Sequence, residues 1–221
     1  MTEEEWLSTP NPERLSQYLA ETASDRTLTL LAAACCRRLM PWNKQSRVLE
    51  ALCRVERYAD GELAGSTMEK WSRQMWRAMR STRNSQDIIC WAVGVACGPR
   101  RSPEFVNHWQ SMVRSARGFS PELVQELPTL VRVTLHEIVG NPFHSVSIDP
   151  AWLTTTVTDL ATVAYNERFL QSGELDTARL AVLADALEEA SCSNPDILGH
   201  LRSHGPHVRG CWAVDLLLGK E

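Results

Sequence analysis

Apolar residues recur along this chain at three- and four-residue steps, the spacing of one face of an α-helix, and rarely at alternate positions. Leu175, Ala178, Val182, Leu183, Ala186, Leu187 and Ala190 give the clearest such face. It needs a partner surface, which Trp212, Val214, Leu216, Leu217 and Leu218 supply if the chain doubles back between Cys192 and Pro206 as an αα-hairpin. Upstream, Thr9, Pro10, Asn11 and Pro12 open a helix through Leu15, Tyr18 and Leu19. Ser24 or Asp25 caps the next, DRTLTLLAAACCRRLM, whose centre is apolar nearly all round and so predicts a central core helix. Arg37 and Arg38 suit the C-terminal end of its dipole, and Pro41 stops it.

A third helix carries Val48, Leu49, Leu52, Val55 and Tyr58 and stops at Gly61. A fourth, capped by Ser66 or Thr67, carries Met68, Trp71, Met75, Trp76 and Met79 among the basic Lys70, Arg73, Arg77 and Arg80. Residues 87–97 read as a short buried helix, because no neighbouring hairpin offers a strand anything to pair with. The run Gly98-Pro99-Arg100-Arg101-Ser102-Pro103 then breaks the chain. Helical spacing resumes through Phe105, Trp109, Met112 and Val113, and again from Pro121 to Ile138, where Pro128 predicts a kink or two consecutive helices. After the turn at Gly140-Asn141-Pro142 the stretch TTTVTDLATVAYNERFL continues the pattern, with Val157, Leu160, Ala161, Ala164, Tyr165 and Phe169 on one face. Pro206 is placed in the first turn of the last helix and Gly210 in its interior.

These segments predict an all-α fold: a compact multi-helix domain of antiparallel helical hairpins. A helical-repeat arrangement is compatible with it, although no strict repeat of about 30–40 residues runs through the chain. The break at 98/99 divides it into an N-terminal helical subdomain, 1–98, and a C-terminal one, 99–221; a single continuous domain accommodates the same elements.

Composition narrows the function classes. With 43% apolar and 23% charged residues in 221, the chain can bury a sizeable core. A formal net charge of -4 supplies no general attraction to nucleic acid or to an anionic membrane. No apolar run approaches the roughly 20 residues that span a bilayer, and the opening MTEEEW does not resemble a secretory signal, so a cytoplasmic protein is expected. Seven cysteines form an odd set without a compact disulfide framework, and Cys35, Cys36, Cys90 and Cys97 lie in apolar surroundings that suppress thiol reactivity.

One short span concentrates metal-ligating side chains: Cys192, His200, His207 and Cys211, with His204 as a substitute. Thiolates and imidazoles suit zinc. The separations of seven, six and three intervening residues are not those of common zinc knuckles, so buried cysteines with capping histidines explain the same residues. Leu135-His136-Glu137 opens like a zinc-protease helix, but Gly140 stands where HExxH needs its second histidine. No glycine-rich phosphate loop is present, and Asp185, Glu188 and Glu189 read as a solvated helix face.

Trp71, Trp76, Trp109 and Trp152 are candidate partner-binding aromatics, and Arg209 a candidate contact for an acidic partner or for Asp185 or Glu189. The leading expectation is a noncatalytic helical protein-interaction or scaffold domain. The alternative is a structural-zinc domain, or a metal-dependent hydrolase, centred on the Cys/His span. The residues do not decide whether the chain is an enzyme.

TEEEWL, SDRTLTLLAAACCRRL, VERYADG, NPF, DPAWL, YNERF, LADALEEASC and HVRGCWAVDLLLGK together resemble a family of related planctomycete bacterial proteins. The resemblance covers both ends and most of the second half; the stretch from about Met68 to Pro121 is the divergent part. Members commonly carry a cysteine after the histidine that matches His200, where this chain has Leu201. The resemblance implies a bacterial cytoplasmic protein on a shared helical scaffold and brings no activity with it.

Overall fold

The computed structural model describes residues 1–9, 11–38, 46–79 and 121–220. Among these the protein is all-α, as expected: ten α-helices, one short 3-10 turn, no strand, and a single isolated bridge between Glu174 and Val208. The expected break at 98/99 and the helices over 87–97 and 103–117 lie outside the described residues, as does Trp109. Two compact units emerge, built on Glu3–Arg132 and on Val133–Glu221. No helix among the described residues is long and apolar enough to cross a membrane.

The first unit contains α1 (Glu3–Ser8), α2 (Pro12–Thr22), α3 (Asp25–Arg38), α4 (Ser46–Ala59) and α5 (Gly65–Met79). Ser24 caps α3, its Oγ accepting from Thr27 N–H at 3.1 Å. From Leu28 to Arg37 every residue of α3 is buried, as its all-round apolar pattern requires. It packs on α4, where Ala51, Leu52 and Val55 are buried. Arg37 stands in the last turn of α3, as its dipole-facing position predicts, and is buried there: its Nε and Nη2 meet the two Glu56 oxygens at 2.6 and 2.9 Å, and Nη2 also reaches Cys53 Sγ at 3.2 Å. An enclosed guanidinium needs such a fork of acceptors to offset lost hydration.

The last turns of α6 (Pro121–Val139) open the second unit. α6 runs unbroken through Pro128. After the 3-10 turn Pro150–Trp152 come α7 (Thr155–Asn166), α8 (Thr177–Glu189), α9 (Pro195–Leu201) and α10 (Trp212–Leu217). Thr154, Asp176 and Asn194 each cap the helix that follows by accepting backbone N–H bonds. The core joins Val157, Ala161 and Tyr165 of α7, Leu180, Leu183 and Leu187 of α8, Ile197 and Leu201 of α9, and Val214 and Leu217 of α10. Each such leucine contributes roughly 2 kcal/mol by leaving water.

Three local expectations are corrected. The inward face of α8 is Leu180, Leu183, Ala184 and Leu187, while Val182 is exposed, because Leu180 and Ala184 complete the i, i+3, i+4, i+7 arc and turn Val182 away. α7 ends at Asn166, so Phe169 lies beyond it and is exposed. The simple two-helix hairpin is replaced by an arrangement in which α9 intervenes and α10 packs on α7 and α9. α10 begins at Trp212, since Gly210 adopts φ +92 and breaks any helix passing through it.

Candidate metal centre

Four side chains from α6, α9 and the segment leading into α10 come together in the second unit. Glu137 sits in the last turn of α6, His200 in the last turn of α9, His207 in the connection that follows, and Cys211 at the cap position before α10. One ligand atom from each lies within 4.8 Å of all the others.

Local structure explains each placement. α6 ends at Gly140, whose φ of +66 suits a residue without a Cβ and whose N–H bonds to the carbonyl of His136 at 2.9 Å. Val131, Thr134, Leu135 and Ile138 form the buried stripe of that helix, and Glu137 is buried beside them. The Asn194 cap and Pro195 start α9, whose Ile197, Leu198 and Leu201 face the core and leave His200 on its flank. His207 is pinned by its own carbonyl, which accepts from Leu175 N–H at 2.8 Å. A Cβ on Gly205 would lie 2.7 Å from the His207 nitrogen, so this approach requires glycine.

The polar contacts are short and mutually consistent. Val208 N–H donates to Glu137 Oε1 at 3.2 Å. Glu137 Oε2 faces His200 Nε2 at 3.2 Å, and His207 Nδ1 is 3.3 Å from either carboxylate oxygen. His207 Nε2 lies 3.2 Å from both the Ser203 carbonyl and Ser203 Oγ; the carbonyl can only accept, so a proton on Nε2 satisfies it while Nδ1 faces Glu137. His200 Nε2 is also 3.2 Å from Cys211 Sγ, and the His200 ring packs against Trp212 at a tilt of 51° with centroids 5.0 Å apart.

Burial resists charge on Glu137, but hydrogen bonds and the charges of His200 and His207 outweigh it and hold the carboxyl below its usual range. Burial likewise works against protonated His207, and Glu137 overrides it, raising the imidazole. Burial first, and Glu137 second, push the Cys211 thiol well above its ordinary value. Without an ion this cysteine is therefore a thiol; a dication among the four donors would reverse that preference.

The arrangement of Cys211 and Glu137 about His200 differs from that of a thiol relay. In a Cys-His-acid relay the thiol and the acid address different ring nitrogens. Here both face the same nitrogen, His200 Nε2. Bond lengths of roughly 2.0–2.3 Å give a zinc tetrahedron edges of roughly 3.3–3.8 Å. The closest donor separations, 3.2–3.3 Å, are near those edges.

Of the four residues predicted as ligands, His200, His207 and Cys211 are brought together and Cys192 is not; it is buried among the apolar core residues. His204 is exposed. Glu137 takes the fourth place. In the sequence Glu137 stands only within an incomplete HExxH motif, marked by no more than a carboxylate adjoining an apolar helical stripe.

The expected partner-binding residues fare differently. Arg209 is buried, its guanidinium 4.8 Å from the Tyr165 ring, while Arg202 pairs with Asp185 and Glu188. Trp152 is half-buried against the core, and Trp71 is half-buried with Arg54 5.7 Å over its ring. The side chain of Trp76 is outside the described residues.

Beside the centre opens a cleft of about 560 Å³, whose wall includes His136, Asn141, His144, Asp196, His200 and Trp212. Compared with protein-family models, curated proteins and solved structures, the chain gives no match.

Proposed function

We propose that Val133–Glu221 is a noncatalytic helical scaffold stabilised by a single zinc-class ion held by Glu137, His200, His207 and Cys211. The observation that carries this reading is the gathering of an N₂OS donor set within 4.8 Å, with the second nitrogen of His207 facing a backbone carbonyl. Imidazole and thiolate together favour zinc over the hard cations. Four protein donors make a closed shell, the form of a structural site; a hydrolytic metal would need an open position. An ion here would join the end of α6 to α9 and α10. The planctomycete resemblance supports a bacterial cytoplasmic setting for such a scaffold.

Elemental analysis of protein purified without added metal tests the reading. Stoichiometric zinc, lost in His207→Ala, is the expected result. A folded protein that carries no metal and takes up none when titrated would overturn it.

A further inference from the structure

The four donors are not equally enclosed. Glu137, His207 and Cys211 are almost wholly shielded, whereas the His200 side chain keeps 17% of its exposure and lines the cleft. An ion approaching through this cleft therefore meets His200 first.

Two further metal-ligating side chains stand on the same wall. Asp196 and His200 are four residues apart on α9, hence on one helix face and roughly 6 Å apart along its axis. Across from Asp196 is His144, whose Nε2 lies 3.8 Å from Asp196 Oδ2. That separation is too long for a hydrogen bond, and with side chains 66% and 54% exposed the pair contributes little to stability. An imidazole nitrogen and a carboxylate oxygen so placed can close on a shared cation with a small side-chain movement.

We infer that His144 and Asp196 form an outer capture site through which a divalent transition-metal ion is passed to His200 and on to the buried centre. This rests on the zinc-centre reading above. The hydrated ion exchanges some of its waters for His144 and Asp196 at the mouth, then exchanges those ligands for His200. Glu137, His207 and Cys211 follow, and the Cys211 thiol and the Nδ1 position of any protonated His207 release their protons to solvent as their bonds to the metal form. The outer pair is a kinetic device: it holds the ion during transfer and not at equilibrium.

The test uses the full chain, stripped with a chelator and mixed rapidly with cobalt(II), whose thiolate charge-transfer absorption reports the bond to Cys211. In a His144→Ala/Asp196→Asn variant, uptake is expected to slow about tenfold, the scale of local cation focusing by a cleft. The final absorbance and one-to-one stoichiometry should stay unchanged. Release to excess chelator should slow by the same factor, because a site empty at equilibrium cannot alter affinity. Unchanged rates with the same end point would overturn the capture site. Loss of the end point would overturn it too, by making the pair resident ligands. If the unsubstituted protein develops no cobalt band, the centre itself fails, and the capture site with it.

Discussion

Gly140 and Trp212 meet so closely that a Cβ on residue 140 would lie 3.0 Å from the indole Cγ. The end of α6 and the start of α10 thus share a tight contact at a residue whose φ of +66 favours glycine. Gly140→Ala is expected to destabilise the protein by about 1–2 kcal/mol through the left-handed backbone penalty alone. Because Trp212 also packs against the His200 ring, zinc affinity should fall as well. Urea unfolding and competitive metal titration measure the two effects, and a variant as stable as the parent would contradict the packing account.

The two cysteines of the C-terminal span should separate cleanly. Cys211→Ala is expected to abolish the cobalt-thiolate absorption, and Cys192→Ala to leave it intact while costing about 1 kcal/mol of core packing. Both cysteines are buried, so exposure alone does not distinguish them. A band that vanishes in Cys192→Ala would restore Cys192 to the ligand set.

In metal-free protein, Glu137 and His207 impose opposite pH dependences. The lowered carboxyl contributes stability above its ordinary value of 4.5, and that contribution is lost as pH falls through the lower folded value. The raised imidazole contributes below its ordinary 6.5, and that contribution is lost as pH rises through the higher folded value. Their joint contribution is therefore greatest between 4.5 and 6.5. Denaturation midpoints measured across pH in chelator should show this window, and Glu137→Gln should flatten it. Superimposable parent and variant profiles would count against the coupling.

Within the first unit, Arg37→Ala leaves Glu56 enclosed without its guanidinium, a loss expected to cost about 3–5 kcal/mol. The double change Arg37→Met/Glu56→Leu should recover most of it, since neither charge is then stranded. Denaturant titration of the two variants checks the ordering. Equal destabilisation by both would mean that lost packing, and not an unpaired charge, sets the cost.

Local periodicity made the helical scaffold legible, because amphipathic spacing, caps and stops act over a few residues. Leu183 and Leu187 turn inward as their spacing requires, and Ser24 caps α3. Small phase errors remained where two arcs competed, as at Val182, or where a turn ended a pattern early, as at Phe169. His200, His207 and Cys211 stood out as chemistry because the chain places them close together. Glu137 did not: it lies 70 positions before His207, and no pattern in either segment reports that meeting. The Arg37 ion pair is hidden for the same reason, since its partner Glu56 belongs to another helix.

The same long span carries a mechanical corollary. Glu137 and His207 are joined both directly and through a closed loop of backbone, so an ion bridging them would act as a clasp on that loop. Protection would then reach amides far from the metal: hydrogen exchange and proteolysis throughout α7 and α8 should slow together on loading, although neither helix supplies a ligand.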